Sequence, residues 1–173
     1  MERLTFTASE VARLAGFKTN LMLNYLERSG TFVRENGGPA HHGKWRAYTF
    51  RDLVVLRAIN RLLELGSRPK RVSEAIATFV RVTELPYDID SLAEFARKAS
   101  LFVVSKDRVT YCEPEQLVEL TQKGQLAFSF MVDNRSVLEP VVGAVSHYFN
   151  ALDNNQPRNV ATLERSLRIA NFV

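Results

Sequence analysis

A single cysteine, Cys112, occurs among the 173 residues. An internal disulfide is therefore impossible, and a thiolate-rich metal site is argued against. Long apolar runs are also missing. Stretches such as Phe128-Ser129-Phe130-Met131-Val132 fall far short of the roughly 20 residues that span a bilayer. Met1-Glu2-Arg3 leads straight into patterned sequence without a cationic-then-apolar leader, so a cytoplasmic protein with no membrane partner is expected. No glycine-rich phosphate loop, nucleophile motif or metal-ligand spacing appears, which leaves an enzyme, a cofactor or a metal with little to stand on. His41-His42 lies in a glycine-rich loop without nearby cysteine or clustered carboxylates, and reads as polar loop sequence, not as a ligand pair. Internal repeats and low-complexity tracts are absent.

What remains is an ordinary globular composition, 46% hydrophobic and 24% charged, in a chain long enough for one compact domain or two small ones. The formal charge of +4 is unevenly spread. Residues 1–86 carry 14 Lys+Arg against 8 Asp+Glu, whereas residues 87–173 carry 9 against 11. A basic front and a mildly acidic rear point the front towards a polyanion.

The informative stretch is Lys18-Thr19-Asn20-Leu21-Met22-Leu23-Asn24-Tyr25-Leu26-Glu27-Arg28. Its spacing predicts a helix with Leu23 and Leu26, joined by Leu21, Met22 or both, turned inward. Lys18, Thr19, Asn20, Asn24 and Arg28 then stay outside. Amides and cations on one helix face are the groups that read base edges and hold phosphates in a major groove. Taken alone, the segment reads more readily as an ordinary amphipathic surface helix, and its neighbours reverse that preference.

Before it, Thr7-Ala8-Ser9-Glu10 matches a capping box opening a first helix with Val11, Ala12, Leu14 and Ala15 inward, closed by Gly16. Two short helices joined by a tight glycine turn make a helix-turn-helix. After Ser29-Gly30, Thr31–Arg34 and Lys44–Tyr48 read as strands around a glycine-rich tip, a hairpin wing. Arg34, Lys44 and Arg46 on its arms are candidates to grip phosphates. Tyr25 and Tyr48 can each pack a ring and still donate to a phosphate, whereas Trp45 is expected to pack under the hairpin. A third helix from about Phe50 to Leu65, capped by Thr49 or Asp52, carries Leu53, Leu56, Ile59, Leu62 and Leu63 inward, with Arg57 and Arg61 outside. Pro69 opens a fourth, on which Val72, Ala75, Ile76, Phe79 and Val80 form the stripe.

Here the chain resembles the MerR-type winged helix-turn-helix family. The matching residues are Glu10-Val11-Ala12-Arg13-Leu14-Ala15-Gly16, Tyr25-Leu26-Glu27-Arg28-Ser29-Gly30 and Trp45-Arg46-Ala47-Tyr48-Thr49-Phe50-Arg51-Asp52-Leu53. Leu56, Ile59, Leu65-Gly66 and Val72 follow at the family's spacing. The resemblance covers roughly the first half of the chain and implies a dimeric DNA-binding transcriptional regulator. It places the Lys18–Arg28 helix in the major groove and Arg46 and Tyr48 on the wing. Asn24 stands where the family commonly has arginine, and Leu26 where the second of two aromatics is common.

The rear half departs from the family's long dimerising helix, because no sustained heptad occurs. Ser91–Ala99 reads as a short helix, Leu101–Val104 and Arg108–Cys112 as a hairpin, and Glu113-Pro114 as the opening of another helix. Ala127–Val132 reads as a third strand. A helix to about Leu152 follows, with Pro140 in its first turn, and then a last helix capped by Asn159. His147 is expected to be a satisfied, partly buried side chain, Cys112 a small core residue, and Phe102, Tyr111, Phe128 and Phe130 core aromatics or the lining of a ligand pocket.

The fold expected is mainly α with small β: a winged helix-turn-helix over 1–86 and a small α+β domain over 87–173 for dimerisation or for binding a partner or effector. The function expected is a regulator that binds double-stranded DNA as a homodimer on a palindromic or pseudo-palindromic operator. Two alternatives stay open for the rear half. It binds a partner toxin, making the protein an antitoxin, or it binds a small-molecule effector.

Overall fold

Thr7 begins the structure's regular part. Its hydroxyl accepts from the Glu10 amide while the Glu10 carboxylate accepts from the Thr7 amide at 2.7 Å, so two helix-end donors are answered at once. The computed structural model describes residues 5–37, 46–98, 100–105, 109–122 and 128–170. Helix α1 (Ala8–Leu14) is short, and Gly16 exits it with a φ of +90°, a conformation glycine adopts without strain. Helix α2 (Asn20–Arg28) follows, then α3 (Phe50–Glu64), whose start repeats the capping box with Thr49 and Asp52. Helix α4 (Pro69–Val82) opens on its proline.

The path between α2 and α3 differs from the expected hairpin. Among the described residues no ladder joins 31–34 to 46–48, and Tyr48 instead bridges to Phe6. Phe32 drops into the core, its amide on the Leu26 carbonyl at 3.2 Å. The Glu35 amide then donates to Asp52 at 2.9 Å. Burying Phe32 and satisfying Asp52 outweigh the β-propensity of Thr31–Arg34. The expected loop tip, with His41, His42, Lys44 and Trp45, lies outside the described residues.

The rear half forms α5 (Ile89–Ala96), β1 (Leu101–Ser105), β2 (Val109–Cys112), α6 (Pro114–Gln122), β3 (Phe128–Asp133), α7 (Asn134–Asp153) and α8 (Val160–Ile169). The sheet is antiparallel with order β2-β1-β3. Phe79 of α4 meets Phe102 and Tyr111 on this sheet at ring separations of 5.4 and 4.8 Å, and Phe95 of α5 at 6.2 Å. Cys112 is buried as expected. None of the described helices is long and apolar enough to cross a membrane.

Other expectations need correction. Val80 is exposed, because Ile76 and Phe79 fill the inward stripe of α4. His147 is exposed, because its neighbours Val145 and Tyr148 take the inward positions on α7. Pro140 sits inside α7, not in its first turn, because the Asp133 side chain caps the helix at Asn134. Arg57 does not point outward. It donates from Nε to the Val137 carbonyl at 3.0 Å and from Nη1 to the Ala15 carbonyl at 3.3 Å, tying the end of α1 to α7.

Front and rear also meet elsewhere. Phe149 of α7 lies 5.9 Å from Phe6 and 6.3 Å from Phe50, centroid to centroid. Beside these rings, buried Glu10 accepts from the Tyr148 hydroxyl at 2.6 Å and from Arg158 at 2.8 and 2.9 Å. Burial alone would raise the Glu10 pKa, but the hydrogen bonds from Arg158, Tyr148 and the Thr7 amide outweigh it and hold the group at about 2.

Two outcomes follow for stability. Phe79→Ala removes the ring at the centre of the aromatic cluster and should cost roughly 3–5 kcal/mol in a urea titration. Glu10 has its pKa depressed from 4.5 to about 2, so its contribution is complete above pH 4.5 and fades as pH falls towards 2. Against Glu10→Gln, the parent should be more stable by roughly 2–3 kcal/mol at neutral pH, a figure discounted for solvent near Arg158. The gap should narrow steadily in melts below about pH 4. A gap independent of pH would contradict this account.

Candidate nucleic-acid interface

Helix α2 is rotated by its two buried leucines. Leu23 is 1% exposed and Leu26 is fully buried, which aims the opposite side of the helix at solvent. That side carries Asn20, Leu21, Asn24, Tyr25 and Arg28, at i, i+1, i+4, i+5 and i+8. Leu21 is 74% and Tyr25 47% exposed. The helix starts at Asn20, two residues later than the spacing predicts. Lys18 therefore precedes it in an exposed turn, and Thr19 occupies the N-cap position. No side chain caps the helix there, so its first amides stay open to an anion. Asn20 donates to the Ser9 hydroxyl at 3.1 Å and steadies the start of α2 against α1.

Beside the far end of α2, one carboxylate gathers what the expected wing supplies. Glu27 accepts from the Tyr48 hydroxyl at 2.8 Å and pairs with Arg34 at 3.4 Å and Arg46 at 3.5 Å. Arg46 Nη1 also donates to Asn24 Oδ1. Tyr48 is fully buried. Burial, then the Glu27 hydrogen bond and charge, push its pKa up to about 12 against the opposing effect of Arg46. Its proton is thus committed to Glu27. Arg34 lies over the Tyr48 ring at 5.8 Å, with its side chain only 11% exposed.

The structure thus divides the residues proposed from sequence. Lys18, Thr19, Asn20, Asn24, Tyr25 and Arg28 lie along one side of the molecule, on α2 or just ahead of it. Arg28 is exposed, with Nε on the Asn24 carbonyl at 3.3 Å. Arg46 joins that side through Asn24, with 31% of its side chain exposed. Arg34 and Tyr48 stand behind it around Glu27, and Lys44 is outside the described residues.

A groove of about 880 Å³ runs beside α2, lined by the start of α1, by Asn20, Asn24 and Arg46, and by Arg158 with the start of α8. Two residues of this region escaped the sequence reading. Glu27 stood in the motif Tyr25-Leu26-Glu27-Arg28 without an assigned role, and no pattern announced its partners. Arg158 follows a polar run 148 positions after Glu10, a separation that no periodicity links. Among the described residues, no group of histidines, cysteines and carboxylates is arranged to hold a metal.

Comparison with known proteins agrees with this geometry. No curated protein matches the chain. Residues 6–78 match the family model described as MerR HTH family regulatory protein. That span runs from the Phe6 bridge through α1, α2 and α3 into α4. Residues 6–78 therefore carry a helix-turn-helix of the MerR type, matching that family's regulatory proteins over the N-terminal half of the chain.

Proposed function

We propose that the protein is a sequence-specific transcriptional regulator that binds duplex DNA as a dimer, on an operator of two inverted half-sites. The observation that carries this reading is the uncovered side of α2, where amide, cationic and apolar groups share one face. Lys18 and Arg28 lie at opposite ends of that face, suited to phosphates on either side of a major groove. Exposed Leu21 suits a thymine methyl group, and Tyr25 can pack on the backbone and donate to a phosphate. Residues 1–86 act as the DNA head and residues 87–173 bring two copies together.

A second reading for the rear half has one supporting feature. A cleft of about 540 Å³ between the end of α4, α5, β2 and α6 is lined by Thr78, Glu84, Lys98, Ser100, Tyr111 and Gln116. Its size suits a small metabolite and its lining a polar one, which favours an effector-responsive regulator. A thermal shift across polar metabolites, with Lys98→Ala as the control that loses it, tests this role.

Selection of bound sites from a random duplex pool should return an inverted repeat, its spacing set by the distance between heads. Lys18→Ala and Arg28→Ala should each weaken binding to every sequence by roughly three- to tenfold, and lower the slope of log K against log salt by about 1. Titrations at several salt concentrations measure both. An absence of duplex affinity at low ionic strength would overturn the proposal.

A further inference from the structure

Asparagine reads adenine by using both ends of its amide, Oδ1 accepting from the base N6 amine while Nδ2 donates to N7. In the folded chain Asn24 Oδ1 already accepts a hydrogen bond from Arg46 Nη1, which occupies one of its two lone pairs and sets a guanidinium against the oxygen that the adenine amine would approach. The oxygen and nitrogen of such an amide are often interchangeable. Here the partner settles the matter, since a guanidinium only donates and must face the oxygen.

Arg46 is held in that position from behind. Glu27, three residues along α2 from Asn24, pairs with Arg46 at 3.5 Å, and is itself fixed by the Tyr48 hydroxyl at 2.8 Å and by Arg34 at 3.4 Å. What Asn24 has left to offer is the pair of N–H groups on Nδ2, which no described residue accepts. Arg46 lines the same groove as Asn24, and its guanidinium offers only further donors. The paired unit thus offers donors, and its one side-chain acceptor, Asn24 Oδ1, is engaged by Arg46.

In the major groove guanine presents two adjacent acceptors, N7 and O6. Adenine places its N6 amine beside N7, so donor would meet donor. Cytosine shows a donor, and thymine a lone O4 acceptor next to a methyl group. We infer that Asn24 and Arg46 act together as a donor-only reader that selects guanine at the base facing the middle of α2. The inference rests on the DNA-binding reading above and adds the base that the helix selects.

Pool selections run in parallel on the full-length parent, Asn24→Ala, Arg46→Met and Arg46→Lys decide it. In the parent, one position of each half-site is guanine, and Asn24→Ala makes that position degenerate. Arg46→Met frees Oδ1 and moves the same position towards adenine, whereas Arg46→Lys, which still donates, keeps guanine. Replacing that guanine by 7-deazaguanine, which lacks the N7 acceptor, weakens the parent about tenfold and leaves Asn24→Ala unchanged. Adenine at the Asn24-dependent position of the parent would overturn the inference while leaving the regulator reading intact. So would Asn24→Ala or Arg46→Met selections identical to the parent's. A parent that enriches no sequence and has no duplex affinity would remove the regulator reading itself.

Discussion

The orientation of α2 about its own axis depends on Leu23 and Leu26. Three residues apart, they sink into a core built from α1, α3 and the arm after α2. A helix held by two such anchors cannot roll without exposing one of them, at a cost of about 1.5–3 kcal/mol per side chain. That constraint fixes which residues meet solvent. It carries Asn20, Asn24 and Arg28 outward together, and it sets Glu27 at the edge where the arm and the Arg46 segment converge.

Around that helix the chain uses carboxylates as joints. Glu27 binds Tyr48, Arg34 and Arg46 behind the exposed side of α2. Glu35 takes Arg51 at 2.9 Å and the Thr49 hydroxyl at 2.9 Å, fastening the arm to the start of α3. Glu10 takes Tyr148 and Arg158, fastening α1 to the rear helices. A partly buried carboxylate with several charge-assisted donors is directional in a way that apolar contact is not. The Glu27 and Glu35 joints also engage three cations of the basic front, Arg34, Arg46 and Arg51. The +6 balance of residues 1–86 already includes these acids, and pairing changes where its positive charge sits, leaving Lys18 and Arg28 exposed.

Local patterns were legible where local physics rules. The Thr7–Glu10 capping box, the Gly16 exit, the leucine stripes and the proline opening of α4 all depend on neighbours within about one helical turn. The hairpin of β1 and β2 and the Asn159 cap of α8 could be read for the same reason. The strand expected at Thr31–Arg34 failed because two distant demands, a pocket for Phe32 and a donor for Asp52, outcompeted propensity. Arg57 was misplaced because a long side chain on a helix flank can turn inward when carbonyls 42 and 80 positions away await a donor. Pro140 was misplaced through a shifted helix start, and His147 because Val145 and Tyr148 on either side of it take the inward positions.

Sequence alone was enough to reveal the class of domain and the two-faced helix α2 within it, because amphipathic spacing is encoded within a few residues. Which of that helix's polar atoms remain available was settled only by folding. Whether an amide oxygen is free or a cation is already neutralised depends on side chains that the chain brings together from Arg34, Arg46 and Tyr48. Hydrogen bonds are made between positions in space, and a linear pattern records the donor without its acceptor.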